Sequence, residues 1–267
     1  MTTTTPRTEF TDRPDPDRPD PDQPPATTPR PRRSPARVAA AALCAILGTG
    51  LVAGAGLTAW SEHRATHHAP SADAAYRKAE SLWHSAPVDS LLPPLLAGPA
   101  AGPGGADRSW TRIALAPDAE CPAALSADWQ RLLAATGCTR VLRATYTDAT
   151  GSSLITVGMV FTPADAPALA ALTGQLTAPP AHGFADAQRA AWTASVLSDA
   201  PVVLYTVSAF ADGRRLDAPL PAEDLMKKDA TGPAARAGLG HEAKGLAGRV
   251  AAAVRTLTTP PSPAPTR

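Results

Sequence analysis

Residues 38–60 read VAAAALCAILGTGLVAGAGLTAW, from Val38 to Trp60, and hold no charged side chain. A helix of that length extends about 35 Å, enough for a hydrocarbon core of ~30 Å with some tilt. In lipid every backbone N–H and C=O must be satisfied within the segment, so the run predicts one transmembrane helix. Arg30, Arg32, Arg33 and Arg37 stand just before it, while behind it Arg64 lies beside Glu62. Positive charge stays on the cytoplasmic side, so the N-terminus is expected inside and the bulk of the chain outside. Trp60 falls at the outer membrane interface, where an amphipathic ring sits at headgroup level. The expectation is a single-pass plasma-membrane protein with the lipid bilayer as its first partner.

The same run admits other readings. A cleaved signal peptide has a shorter apolar region, but Ala53-Gly54-Ala55 resembles a small-residue cleavage site, and cleavage makes the protein secreted. Leu43 before Cys44 does not suit a lipoprotein signal, and Arg32-Arg33 is followed by Ser-Pro-Ala-Arg, a poor twin-arginine match. Gly50 and Gly54 form a GxxxG pattern that permits a weak homodimer; a Gly/Ala-rich segment also produces that spacing by composition. Gly48-Thr-Gly50 follows no strand and is not a dinucleotide fingerprint.

Residues 1–37 hold 10 prolines and Phe10 as their large apolar side chain. Such a chain cannot bury enough surface to offset its ordering entropy, so a disordered cytoplasmic tail is expected. Asp12-Arg-Pro-Asp-Pro16 repeats as Asp17-Arg-Pro-Asp-Pro21, a density of proline that favours polyproline II. Thr2 to Thr5, Thr8 and Thr11 are accessible hydroxyls for docking or phosphorylation, although a solvated spacer accounts for the same composition.

The first 60 residues hold 7 of the 25 basic and 6 of the 24 acidic side chains, so the remainder carries equal numbers of each sign. No basic stripe of the kind nucleic acid needs is present, and no nucleic-acid partner is expected. The layout reads as a juxtamembrane helix and linker over 61–107, an extracytoplasmic domain over 108–258, and a disordered tail over 259–267. Cys44 lies in the apolar run; Cys121 and Cys138 flank a short helix. In an oxidising compartment the latter two are natural disulfide partners, worth ~3 kcal/mol through loop closure. A redox-active pair favours CxxC spacing, which these lack.

Along the outer chain, Ser71 to Ser85 predicts an amphipathic helix capped by Ser71. Val88 to Leu96 is apolar but broken by Pro93-Pro94, suited to packing over the domain or on the membrane surface. Strands are expected over Ser109–Leu115, Arg140–Thr147, Leu154–Phe161, Trp192–Leu197 and Val202–Phe210. Helices are expected over Ala123–Ala135, from a Thr162 cap to about Leu176, and over Leu239–Leu257. The order β-α-β-β-α-β-β-α predicts an α+β fold: a ferredoxin-like split βαβ, antiparallel, with helices on one face, extended by a hairpin strand and a C-terminal helix.

Reactive constellations are scarce. No GxSxG elbow, SxxK, HExxH, P-loop or EF-hand loop occurs, so no catalytic residue, metal site or cofactor is assigned. His63 and His67 share a helical spacing, beside His68, but a solvated linker explains them. His241-Glu242 reads as the solvated start of the last helix. Asp148 and Asp212 sit in turns, where Asp is wanted for local hydrogen bonds, and adjacent Glu223 and Asp224 do not face each other. Arg140, Arg143 and Arg214-Arg215 offer an anion site or a solvated sheet face.

The Asn-free, Ala/Pro-rich layout, with Ala144-Thr-Tyr-Thr-Asp-Ala-Thr-Gly151 leading to Thr156-Val-Gly158, resembles uncharacterised single-pass envelope proteins of high-GC actinobacteria. The resemblance implies a cell-envelope location and a non-enzymatic domain, and carries over no catalytic residue. The function expected is a non-catalytic interaction or ligand-sensing domain with an envelope protein as partner; the alternatives are an envelope enzyme with an unrecognised site near Asp148 or Asp212, and a relay to the Thr-rich tail.

Overall fold

Ser71 caps the first helix of the computed structural model, which describes residues 71–259. Its side chain accepts from the Ala74 N–H and starts α1 (Ala72–Ala79). Short helices α2 (Leu82–Ser85) and α3 (Val88–Leu91) lead to β1 (Leu95–Gly98) and β2 (Arg108–Leu115). Then come α4 (Cys121–Ala124), α5 (Ala127–Leu132), β3 (Arg140–Asp148), β4 (Ser153–Phe161) and α6 (Ala166–Ala170). The chain continues through β5 (Arg189–Val196), β6 (Val202–Phe210), β7 (Leu220–Pro221), α7 (Ala222–Leu225) and α8 (Pro233–Arg236), and ends on α9 (Leu239–Thr258).

The strands form one mixed sheet in the order β1-β2-β3-β4-β6-β5-β7. Neighbours are antiparallel except β5 and β7, which are parallel. The near-continuous apolar runs of β4 and β6 place them at its centre, buried on both sides. One face carries Leu142, Ile155, Val157, Met159 and Leu204 against Leu246, Val250 and Val254 of α9. Hydroxyls bind the same helix to that face: Thr206 donates to Ala243 O at 2.8 Å and Ser208 to Leu239 O at 2.9 Å. The other face carries Val141, Val160, Val203, Tyr205 and Val207 beneath Trp129 and Leu133, with Leu169 of α6.

Trp110 locks β1 to α9. Its indole is fully buried, and a Cβ on Gly98 or Gly245 would lie 2.4 Å or 2.9 Å from ring carbons, so only glycine permits this approach from either side. Its Nε1–H donates to Glu242 Oε2 at 2.5 Å. On the opposite face the Tyr205 ring lies across Gly158, its cross-strand partner. A Cβ there would meet Tyr205 Cζ at 2.0 Å. Gly158→Ala is therefore expected to destabilise the fold by about 1–3 kcal/mol or more through overpacking, read as a lowered urea midpoint.

Several expectations are corrected. A split βαβ would put a strand between β2 and β3 and make them parallel; they pair directly and antiparallel. The reason lies in the connection: α5 has 6 residues, about 9 Å of helix, far shorter than a nine-residue strand of ~30 Å, so it covers the sheet without crossing over. Helices lie on both faces rather than one. The folded body begins ahead of Arg108, because β1 pairs with β2 and because Leu91 and Leu92 are wholly buried. Tyr146 Oη donates to Pro93 O at 2.8 Å and Arg112 to Leu92 O, pinning the proline-broken segment to the sheet.

The membrane description is corrected as well. Among the described residues no helix is long and apolar enough to cross a membrane. The longest, α9, carries charge on its exposed side at Lys244, Arg249 and Arg255. The described part, 71–259, is an α+β fold with no helix suited to crossing a membrane. Residues 38–60, Arg30, Arg32, Arg33, Arg37, Trp60 and the Gly50–Gly54 pair all lie outside the described residues, as do the tails at 1–37 and 260–267.

Candidate functional site

A cleft of about 670 Å³ opens between α1, the segment Pro163–Pro167, the turn at Ser198–Asp199 and the end of α9 at Thr258. Alanines and prolines make up much of its lining, which also includes Tyr76. Tyr76 is placed by the Ser71 cap, which sets the phase of α1, and its ring packs against the core beneath α5 and α6. Its hydroxyl is buried with no hydrogen-bond partner among the described residues. Burial raises the phenol's pKa, and the Asp165 charge adds to it.

The charged residues of the lining are Asp73, Asp165 and Asp199 against Arg77. Asp165 Oδ1 accepts from Ala168 N–H at 2.9 Å and caps α6, the role expected of Thr162. That cap starts a helix of 5 residues instead of one reaching Leu176. Asp199 pairs with Arg255 at 2.9 Å. Asp73 forms no ion pair among the described residues, so the cleft lining keeps an acidic surplus.

The acids singled out from the sequence are spent in their own turns. Asp148 accepts from Ser153 N at 2.7 Å, from Ser153 Oγ at 2.9 Å and from Ser152 Oγ at 3.0 Å, and Thr150 donates to it as well. Burial pushes its pKa up, but these hydrogen bonds outweigh it and hold the carboxyl at about 2. Since that lies below the ordinary 3.8, Asp148 stabilises the fold above about pH 4 and the contribution is lost as pH falls toward 2. Asp148→Ala is thus expected to be less stable than the native chain at neutral pH, with the gap closing between about pH 4 and pH 2 in acid titrations of urea midpoints.

Asp212 pairs with Arg214, whose guanidinium lies 4.3 Å over the Phe210 ring. Glu223 pairs with Lys244 at 2.7 Å and Asp224 with Lys227 at 2.7 Å. A smaller hollow of about 260 Å³ beside Asp148 also borders Asp107, whose Oδ1 accepts from Ala100 N–H at 2.9 Å. No described hollow gathers Asp148 with Asp212. Arg140 lies 4.7 Å over the Trp83 ring and 3.5 Å from Asp118, on the face of β3 opposite Arg143, and Arg214 lies beyond β6, so the arginines do not converge. His63, His67 and His68 lie outside the described residues.

Glu242 departs most from its expected solvated place. It is 4 % exposed, held by Trp110 and by Arg108 Nε at 2.9 Å. Burial raises its pKa despite both partners. Cys121 and Cys138 are bonded, with Cα atoms 6.1 Å apart. Among the described residues no group of three or more His, Cys, Asp or Glu is placed to hold a metal. In comparisons with known proteins, no family model, no curated protein and no solved structure matches this chain.

Proposed function

We propose that this is a non-catalytic ligand-binding domain of an oxidising compartment, whose cleft beside α1 takes a small apolar molecule bearing one positive charge. The cleft itself carries the reading. Its 670 Å³ lies within the range of ligand sites, and its lining combines alanines and prolines with three aspartates against one arginine. Tyr76 lines the cleft and its hydroxyl has no hydrogen-bond partner among the described residues, so a ligand that displaces the packing over it supplies one. The Cys121–Cys138 bond supports the compartment.

Titration calorimetry on the full chain tests this. Benzylamine is expected to bind saturably and benzoate not to bind the cleft. Tyr76→Phe and Asp73→Asn are each expected to weaken benzylamine several-fold without lowering the urea midpoint by a comparable free energy, since among the described residues neither side chain forms a hydrogen bond or ion pair. Equal binding by native chain and both variants contradicts the assignment. Turnover of a substrate that one point substitution abolishes would overturn the non-catalytic reading.

A further inference from the structure

The middle of the sheet's second face contains a group that the fold leaves unused. Arg143 of β3, Gly158 of β4 and Tyr205 of β6 are successive cross-strand partners and so share one row on one face. Neighbouring strands lie about 4.8 Å apart. Because Gly158 lacks a side chain, the phenol ring occupies the space above it and carries its hydroxyl toward Arg143. The Tyr205 Oη would lie 2.4 Å from a Cβ on Gly158, which places it over β4. Trp129 closes the far side, its ring centroid 5.2 Å from that of Tyr205.

Neither polar group is satisfied. Tyr205 is 0 % exposed, yet its hydroxyl has no hydrogen-bond partner among the described residues, and the same holds for the buried Nε of Arg143. Each such buried group ordinarily costs free energy comparable to a lost hydrogen bond. Among the described residues Arg143 forms no salt bridge, whereas Arg108, Arg112, Arg140 and Arg189 each have a carboxylate partner. Asp186 lies in the neighbourhood but is engaged by Arg189 and by the Ala181 N–H.

A loop clamped to the sheet lies beside this row. Thr145 and Thr156 both donate to His182 O, at 2.9 Å and 2.7 Å, and the His182 N–H donates back to Thr156 Oγ1 at 2.9 Å. Gly183 adopts φ +88° and passes so close to Thr145 that a Cβ would lie 2.5 Å from its hydroxyl. Arg143 and His182 are partly exposed while the Tyr205 hydroxyl is buried. The row thus runs from a partly exposed arginine to a buried phenol.

We propose that Arg143, Tyr205 and the clamped His182 loop form a binding site for a small carboxylate, separate from the cleft beside α1. A guanidinium edge and a phenolic O–H supply donors for two carboxylate oxygens, and the planar guanidinium matches carboxylate geometry. Trp129 and the valines of this face keep the donors partly dry, where charge-assisted hydrogen bonds are stronger. His182 reports on occupancy. Burial lowers its pKa and the Arg143 charge lowers it further, so a bound anion that offsets Arg143 raises it.

The test is an NMR titration of the full chain with acetate, with acetamide as the neutral isostere and chloride at matched ionic strength as the control. Acetate is expected to shift the His182, Gly183 and Tyr205 amides saturably and to raise the His182 pKa; acetamide and chloride are not. Tyr205→Phe, which keeps the packed ring, should weaken acetate roughly ten-fold by removing one donor to a charged group. Arg143→Gln should abolish the response and raise the His182 pKa without ligand. If Arg143→Gln fails to fold, Tyr205→Phe alone decides. Acetate shifts no larger than those of chloride, or unchanged affinity in Tyr205→Phe, overturn the proposal.

Discussion

Trp110→Ala is expected to cost roughly 3–5 kcal/mol of folding stability, the range for deleting a fully buried aromatic side chain. The site cannot collapse to fill the gap. Gly98 and Gly245 flank the indole and have no side chains to move inward. The substitution also takes the Nε1–H from Glu242, leaving a buried carboxylate with Arg108 alone. Trp110→Phe separates the two effects: it retains most of the volume and removes only the donor, and is expected to cost about 1–3 kcal/mol. Urea unfolding followed by far-UV circular dichroism reads both. A Trp110→Ala loss below about 1 kcal/mol would mean that β1 and α9 are held by other contacts.

Glu242 adds a pH signature with opposite sign to that of Asp148. Its folded pKa is raised above the ordinary 4.5 by burial. Ionising it therefore costs stability, and this cost grows as pH rises above about 4.5.

Removing the Cys121–Cys138 bond has the second largest expected effect. The two residues are 17 apart in sequence, and closing a loop of that size restricts the unfolded chain by ~3 kcal/mol. The loss should be local in the native state. Helices α4 and α5 have 4 and 6 residues, too short to be stable by themselves. They hold Trp129 and Leu133 over Val141, Val160 and Val203. In Cys121→Ser/Cys138→Ser the amides of α5 should lose hydrogen-exchange protection first, while those of α9 on the other face stay protected until global unfolding. A urea midpoint unchanged by reductant contradicts this account.

What the sequence made legible follows from locality. The β3–turn–β4 hairpin is readable because Leu142, Ala144 and Tyr146 alternate and Asp148 to Gly151 carry turn chemistry. The last helix is readable from its apolar spacing, and it runs from Leu239 to Thr258. The position of Ser126 as a cap was a missed local signal: it divides Ala123–Ala135 into two helices, its side chain accepting from Trp129 N. The continuous apolar run of β4 was another, since a strand buried on both faces implies cover on both sides of the sheet.

Other features have no local signature. Glu242 is buried because Trp110, 132 residues earlier, meets it in the fold. The sequence offers Arg143, with Arg140, as an anion site or a solvated sheet face, but only the strand register brings Gly158 and Tyr205 into its row. Tyr76 reads as one apolar position of an amphipathic helix, and its place in a cleft lining depends on where Pro163–Pro167 and the end of α9 return.

The most direct test of the ligand-binding account is an amide chemical-shift map of the full chain during a benzylamine titration. The account predicts saturable shifts clustered at Tyr76, Ala164, Ser198 and Thr258, around the cleft, with the rest of the sheet unchanged. Shifts spread evenly over the surface, or clustered away from α1 and the Pro163–Pro167 segment, contradict it.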